Sequence, residues 1–430
     1  MKIMMGMNHS RISKKISLLI ILCSTLFTAN ASYIFIPMDE SQNNHLKAYG
    51  IAYFSIDQGI KVDWLLNYQG GSFMIKYNEK IENECSVRGV SFNIIADVQS
   101  TQILRSISSP EVNQDVVRLE KAPKIAIYSP SNKQPWDDAV TMALIYAEIP
   151  YEVIYDEEVL SNLLPLYDWL HLHHEDFTGQ YGKFYASYKN ASWYKEQKIE
   201  YERLANKLGY NKVSQEKLAV AKKIKEYIYG GGFLFAMCSA TDSYDIALSA
   251  EGTDICAQMF DGDGMDPSAQ EKLDFSKTLA FKDFSIVKNP NQYEFSSIDA
   301  TRSRKIKAEI DFFTLFDFSA KWDPVPTMLC QNHTQVIKGF MGQTTAFKNQ
   351  YIKSDVLIMG ETKATNEARY IHGKLGNGTW TFYGGHDPED YQHKVGDPKT
   401  DLSLHPNSAG YRLILNNILF PAAKKKKIKT

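Results

Sequence analysis

Short apolar runs separated by turn residues dominate the first quarter of the chain. SYIFIP (32–37), KVDWLLN (61–67) and SFNIIAD (91–97) predict strands, since β-branched and aromatic residues favour a pleated sheet. HLKAYGIAYFSI (45–56) predicts a helix or a buried mixed segment. Together these segments predict a small N-terminal α/β domain over residues 32–122.

From residue 124 onward, strand-length apolar runs alternate with longer segments whose apolar residues recur at helical spacing. KIAIYS, YEVIYD, LYDWLHLHH and FLFAM predict strands within residues 124–237. Helices are predicted for PWDDAVTMALIYAEI, near Pro135, and for SQEKLAVAKKIKEYIY, from Ser214 to Gly230. This β-α-β-α-β order predicts a parallel sheet with helices on both faces, and the wholly apolar FLFAM predicts its central strand.

The predicted fold class is therefore α/β, with a doubly wound, mainly parallel, flavodoxin-like sheet over residues 123–423. Two insertions interrupt it: residues 177–213 are polar and aromatic-rich, and residues 260–350 contain the strand-like runs DFFTLFDF and QVIKGFMG. The core resumes with DVLIMGE. A hairpin around Gly376-Asn377-Gly378 and an amphipathic helix in NSAGYRLILNNILF then complete it.

The start of the chain has the pattern of a targeting segment. Basic residues lie between Lys2 and Lys15, and Ile16–Phe27 is mostly apolar and uncharged. An A-x-A cleavage pattern follows, so we predict a signal peptide over residues 1–31 and a periplasmic or secreted mature protein beginning at Ser32. No later segment has about 18 uninterrupted apolar residues, so no transmembrane segment is expected in the mature chain.

Charge excludes one class of partner. Residues 1–31 carry four basic residues and no acidic ones, so the remaining chain has 44 Lys+Arg against 50 Asp+Glu. An acidic balance of this kind opposes nucleic-acid binding electrostatically, so we expect none. The basic tail, residues 424–430, is expected to be a solvated chain end or a point of contact with an acidic surface.

Cys238 follows a predicted strand and precedes a predicted helix in GGGFLFAMCSATDS. Ligands of doubly wound sheets bind at the carboxyl ends of strands, and a helix N-terminus stabilises a thiolate. Ala236 and Ala240 are small, as a sharp strand-to-helix elbow requires. These features predict that Cys238 is a nucleophile and that the backbone N–H of Ser239 donates to the oxyanion formed on the substrate. The simpler interpretation is a buried, inert cysteine.

The other cysteines remaining after cleavage at Ser32 do not form a disulfide scaffold. They are Cys85, Cys256 and Cys330, too few for a chain of this length. A bond between Cys256 and Cys330 is one open alternative.

A second polar cluster, YGGHDPEDYQH, follows the strand-like run WTFYGG. His386 is a candidate base for Cys238, oriented by Glu389 or by Asp387. The resulting constellation would be a Cys-His-acid hydrolase.

The run HLHHEDFTG supplies a competing hypothesis. His173, His174 and Glu175, with His386, are candidate ligands of a divalent metal ion, and otherwise line a polar cleft. On a strand His173 and His174 would point in opposite directions, so a shared ion requires a bend. No other cofactor is indicated, and the loop FDGDGMDP resembles a calcium loop without its full spacing.

The aromatic residues of the first insertion offer a surface for a ligand. They are Phe177, Tyr181, Phe184, Tyr185, Tyr188, Trp193 and Tyr194. Such rings stack on a glycan or clasp a peptide, or else simply cover the core. The expected partner is thus a small molecule, a peptide or a glycan.

The elbow, the sheet order and the late His-acid motif together resemble the class I glutamine amidotransferase-like fold over roughly residues 124–423, including its trehalose-utilisation-type relatives. The resemblance implies a cysteine nucleophile at Cys238 and a base at His386. The elbow of the family has the sequence G-x-C-x-G, and its catalytic base and orienting carboxylate usually have the spacing His-x-Glu. Here alanines flank Cys238, and Pro388 holds the plus-two position.

The whole chain is also similar to secreted bacterial proteins labelled asparagine synthetase B, through IPMDESQNNHLKAYG, WLHLHHEDFTGQYGKF and GGHDPEDYQH. The motifs of that activity are missing, because Lys2 follows the initiator and no S-G-G-x-D-S loop is present. Three hypotheses therefore remain: a Cys-dependent amide or acyl hydrolase, a metal-assisted hydrolase, and a non-catalytic binding or envelope-assembly module.

Overall fold

The computed structural model describes residues 31–130 and 138–424. The predicted signal peptide and basic tail lie outside these ranges, apart from Ala31 and Lys424, as does Pro135. Within the described ranges, no helix is both long enough and apolar enough to span a bilayer. The four cysteines at positions 85, 238, 256 and 330 are unbonded, so the Cys256–Cys330 alternative is wrong.

The first sheet is antiparallel and has the strand order β4-β1-β3-β2-β5. Its strands are β1 (Ala31–Ile36), β2 (Val62–Leu66), β3 (Ser72–Lys76), β4 (Asn93–Ala96) and β5 (Asp115–Leu119). The helices along it are α1 (His45–Asp57), α2 (Glu79–Val87) and α3 (Asp97–Ser108). The ambiguous segment HLKAYGIAYFSI is thus helical, and the sequence missed β3 and β5.

The second sheet has five parallel strands in the order β7-β6-β8-β9-β15. These are β6 (Ile125–Tyr128), β7 (Glu152–Ile154), β8 (Trp169–Leu172), β9 (Phe233–Met237) and β15 (Gly378–Tyr383). FLFAM lies between β8 and β15, which confirms its central position.

Five more strands extend this sheet in antiparallel fashion. They are β10 (Phe312–Leu315), β11 (Val336–Lys338), β12 (Phe347–Lys348), β13 (Leu357–Thr362) and β14 (Glu367–Leu375). β14 pairs with β15 across the predicted glycine turn, and β13, β10 and β11 follow outward. The α/β class is confirmed, but the expected mainly parallel sheet is mixed, because DVLIMGE and the second insertion contribute antiparallel strands.

Nine helices of the described ranges accompany the second sheet. They are α4 (Ala139–Ala147), α5 (Asp156–Leu160), α6 (Tyr185–Tyr188), α7 (Ser192–Lys207), α8 (Val213–Gly230), α9 (Ser239–Ser249), α10 (Gln258–Asp261), α11 (Pro324–Leu329) and α12 (Ala409–Leu419). Alternate residues of β9 face two separate cores. Phe235 and Met237 pack in the core that contains α4 and α12, while Leu234 and Ala236 pack in the core that contains α8 and α9. Two covered faces explain why this strand is apolar throughout.

Helix α12 is enclosed rather than amphipathic as predicted. Every residue from Gly410 to Leu419 is buried. Its polar side chains are therefore satisfied inside the protein. Asn416, for example, donates through Nδ2 to the carbonyls of Leu329 (3.0 Å) and Gln331 (2.8 Å).

Arg412 joins α12 to the first sheet. Its guanidinium is fully buried and donates to the carbonyl oxygens of Met38 (2.8 Å) and Gly70 and to the hydroxyl of Tyr49 (3.2 Å). Helix α1 packs against α4 and α12, and one hydrophobic core contains residues of both sheets. The two sheets therefore share their interior.

Candidate functional site

The carboxyl ends of β8, β9 and β15 meet at one edge of the second sheet, because these strands are adjacent and parallel. His173, His174 and Glu175 follow β8, Cys238 follows β9, and His386 lies three residues after β15. The sheet thus brings the sequence-predicted residues to the same edge, as expected for a ligand site in an open α/β sheet.

Cys238 has the strained backbone of a strand-to-helix elbow. Its φ is 50° and its ψ is −138°, and it is the N-cap of α9. A left-handed φ is costly for a residue with a β-carbon and is retained where the surrounding structure enforces it. Here the Cys238 N–H donates to Gly385 O (3.2 Å), and the flanking Ala236 and Ala240 are fully buried.

The thiol of Cys238 is surrounded by backbone amides. The Gln343 N–H donates to Sγ at 3.3 Å, and Cys238 is 3% exposed. Burial raises the pKa of the thiol to about 11, against the opposing effect of the amides of Gln343 and Ser239. The predicted oxyanion donor, Ser239 N–H, therefore faces the thiol itself.

A second imidazole faces His386. His386 Nδ1 lies 3.0 Å from His173 Nε2. Asp387 instead accepts hydrogen bonds from the hydroxyls of Tyr411 (2.8 Å) and Thr400 (2.6 Å). Glu389 is the ion-pair partner of His405 at 3.2 Å. The two carboxylates expected to orient His386 therefore hold the C-terminal segment in place.

Three imidazoles converge at this edge. One ring nitrogen from each of His173, His174 and His386 lies within 4.8 Å of the other two. His174 Nδ1 is buried and has no hydrogen-bond partner within the described residues, although the side chain as a whole is partly exposed. Strand β8 ends at Leu172, so the bend that a shared ion requires is present.

Glu175 does not belong to this group of ligand atoms, contrary to the prediction that it would bind the metal. Its Oε2 accepts the N–H of His173 at 3.0 Å and so stabilises the turn that follows β8. Burial raises the pKa of Glu175 to about 8. Because the Glu175 carboxyl accepts a backbone N–H, Glu175 supports the loop that bears the histidines and adds no ligand atom to them.

Asp138 is the site residue that sequence reasoning missed. Its Oδ1 lies 3.3 Å from His171 Nε2 and 3.4 Å from His173 Nδ1. Burial opposes its ionisation, but the two histidines outweigh burial and hold the Asp138 pKa well below its usual range. It also caps α4 through the Val140 N–H (2.7 Å), and PWDDAV signals only this capping role.

His174 and His386 are held in their neutral form. Burial, reinforced by His173, lowers the pKa of His174 to about 3 and keeps that of His386 well below its usual range. A neutral imidazole retains the lone pair that a metal ion binds.

The first insertion contributes a small core of its own. Tyr181, Phe184 and Tyr194 pack together with Cys256 and Phe260. Most aromatic residues of the first insertion therefore cover or form this core.

The calcium-like loop contains an internal cation. Lys212 Nζ lies 2.6 Å from Asp254, 3.0 Å from Asp261 and 2.5 Å from Asp263. A lysine ammonium thus occupies the position expected for the ion, and the resemblance to a calcium loop does not hold.

We expect the Cys238 thiol of the folded protein to react slowly with iodoacetamide at neutral pH. A pKa of about 11 leaves so little thiolate that alkylation should be about two orders of magnitude slower than in the urea-unfolded chain. Peptide mass spectrometry of timed samples measures this rate. It should rise with pH toward the pKa of the thiol. Rapid alkylation of Cys238 at neutral pH, abolished in Cys238→Ser, would contradict this expectation.

Comparison with known proteins assigns no family to the chain. No protein-family model matches it, and no curated protein matches it. Weakly similar solved structures include the cytoplasmic proteins STM3548 and STM1381 from Salmonella typhimurium, with 11% identity each, TM-scores of 0.33 and 0.34, and coverage of 70% of this chain and 100% of theirs. Gan42B, a GH42 β-galactosidase, has 10% identity and a TM-score of 0.26, with 62% of this chain and 28% of that chain covered.

Proposed function

We propose that this protein is a metal-assisted hydrolase whose ion is bound by His173, His174 and His386. The observation that carries the proposal is the convergence of three ring nitrogens within 4.8 Å, with His174 Nδ1 buried and lacking a partner among the described residues. A buried imidazole nitrogen without a partner is costly, and an ion would remove that cost.

The donor set fits zinc. Zinc bound by three protein ligands keeps a fourth position for water in hydrolytic enzymes, and neutral imidazole is a preferred ligand. The carboxylate of Asp138 lies beside His173 on the side away from His386, which matches the carboxylate–histidine–metal arrangement common in such sites. When bound, zinc lowers the pKa of water and polarises a scissile carbonyl.

The protein's own residues then set access and orientation. His174 is the partly exposed member of the cluster, whereas His173 and His386 are 1% and 5% exposed. Substrate is therefore expected to approach from the side of His174. A small molecule, a peptide or a glycan bearing an ester or amide fits this chemistry.

Metal content and hydrolysis test the proposal together. The purified protein, incubated with Zn²⁺ or Co²⁺ and desalted, should retain one ion per chain by elemental analysis. Hydrolysis of a chromogenic ester should stop with a chelator and return with Zn²⁺. A protein that retains no ion, or whose hydrolysis is unaffected by the chelator, would overturn the proposal.

A second candidate is the Cys238-dependent amide or acyl hydrolase. The left-handed backbone of Cys238 at the start of α9 favours it, because such strain is characteristic of nucleophile elbows. The thiol alkylation experiment tests this candidate separately: fast reaction at neutral pH supports the thiol mechanism, and slow reaction argues against it. Absence of both metal and reactive thiol would favour a binding or envelope-assembly module.

We further propose that residues 123–423 have a class I glutamine amidotransferase-like fold with a doubly wound, flavodoxin-like core. The order β7-β6-β8-β9-β15 and the cores on both faces of β9 support this assignment. A periplasmic or secreted location is proposed from residues 1–31 alone.

A further inference from the structure

We propose that the substrate of the metal-assisted hydrolase is acetylated, because the cavity beside His174 has room for only a methyl-sized acyl chain. This inference rests on the proposed function and names the acyl group that is removed. Hydrolysis breaks the bond from the carbonyl carbon to the leaving oxygen or nitrogen and forms a bond from that carbon to the oxygen of water. Acetate is released, and the leaving alcohol or amine receives a proton from the water.

The cavity that limits the acyl chain is small. Its volume is about 20 Å³, which holds about one water molecule, and a methyl group is of similar size. The side chains that line it include His174, Tyr181, Phe184, Gln197, Tyr201 and Val213. Because His174 is also a proposed ligand, a substrate group in this cavity lies next to the reacting carbonyl.

The polar groups of the cavity wall are engaged within the protein. Glu175 and Asp176 line the cavity, but Glu175 Oε2 accepts a backbone N–H at 3.0 Å. Asp176 Oδ1 accepts the N–H and the hydroxyl of Thr178, at 2.7 and 2.6 Å. Gln197 donates through Nε2 to the hydroxyl of Tyr201 at 3.1 Å. The aromatic rings and the valine supply an apolar wall, which suits a methyl group.

The turn that carries two of the rings is held in a strained conformation. Tyr181, Gly182 and Lys183 have φ values of 50°, 66° and 58°, and a left-handed φ is costly for a residue with a β-carbon. The Gly182 N–H donates to Asp176 Oδ2 at 3.0 Å, and its carbonyl oxygen accepts from Gln343 Nε2 at 2.7 Å. A wall fixed in this way resists displacement by a longer acyl chain. The size of the cavity therefore becomes a selectivity for short acyl groups.

Esters of increasing acyl length test the inference in the Zn²⁺-loaded protein. For chelator-sensitive hydrolysis, kcat/KM should be about 10–200-fold higher for p-nitrophenyl acetate than for p-nitrophenyl propionate, since one methylene has an effect of this size in a fitted pocket. Binding of the product anions is a second readout. Acetate should change the visible absorption spectrum of the Co²⁺-loaded protein at lower concentration than propionate or butyrate.

Two substitutions of Val213 change the cavity in opposite directions. Val213→Ala enlarges it and should reduce the preference for acetate over propionate about tenfold. Val213→Ile adds a methylene and should lower kcat/KM for the acetate about tenfold, which keeps the test decisive if Val213→Ala does not fold. Val220→Ala is the matched control, because Val220 is a buried valine of the same helix that does not line the cavity. Thermal unfolding checks that each variant is folded.

The outcomes separate this inference from the proposed function. A protein that retains no ion and shows no chelator-sensitive hydrolysis overturns both. Chelator-sensitive hydrolysis that is as fast for the propionate and the butyrate as for the acetate overturns the acyl-length inference and leaves the hydrolase standing. If the ion is retained but no ester is hydrolysed, equal affinities for the three product anions overturn the inference. Unchanged selectivity in the folded Val213 variants would also overturn it, since the acyl chain would then lie elsewhere.

Discussion

Replacing His386 with alanine is expected to abolish chelator-sensitive hydrolysis. The variant removes one of the three proposed ligands and leaves only His173 and His174 to bind the ion. The affinity loss should therefore exceed the roughly 10–100-fold that follows loss of an outer-shell partner. Thermal unfolding of the metal-free variant checks that it is folded, because removal of a buried ring leaves a cavity.

His405→Ala is the matched control for this experiment. His405 is a partly exposed histidine whose ion-pair partner is Glu389. Elemental analysis and ester hydrolysis should be unchanged in it. Retention of the ion and of activity in His386→Ala would remove His386 from the ligand set and leave two histidines, too few for the proposed site.

Replacing Arg412 with leucine is expected to lower the free energy of unfolding by about 3–5 kcal/mol. Leucine fills part of the volume but donates nothing, so the carbonyl of Gly70 would lose its donor and that of Met38 would keep only His45 Nε2. Urea unfolding followed by tryptophan fluorescence measures the change.

Arg105→Leu provides the comparison, because Arg105 lies exposed on α3 and should change the free energy of unfolding by less than about 0.5 kcal/mol. If Arg412→Leu lowered the free energy of unfolding as little as Arg105→Leu, the carbonyls would have found water or other donors. The guanidinium would then not be the group that joins the two sheets.

The sequence predicts individual strands and helices well where burial is uniform along an element. FLFAM and SQEKLAVAKKIKEYIY are β9 and α8, since a short apolar run after glycines favours a strand and a long helical stripe favours a helix. The prediction of an amphipathic α12 is wrong, because Arg412, Asn416 and Asn417 are buried. A buried polar side chain with internal partners cannot be distinguished in sequence from a solvated one.

The location of the candidate site can be predicted from the sequence, but the hydrogen-bond and ion-pair partners of its residues cannot. Strand ends identify Cys238, His173 and His386 as neighbours, because parallel strands place their carboxyl ends together. The partners of those residues depend on side-chain directions beyond the strand ends. The side chain of Asp138 thus reaches His173, which strand order alone does not predict. The side chain of Glu389 is directed to His405, although the sequence predicted that it would orient His386.

The shared interior of the two sheets has a consequence for the order in which the chain can fold. Strand β1 is among the first described segments to be synthesised, while α12, which completes the core around α1, is the last helix of the described chain. The side of α1 that packs against α4 and α12 therefore stays uncovered until nearly the whole polypeptide is available. During that interval, a chaperone has an incompletely packed chain as its substrate rather than a finished domain.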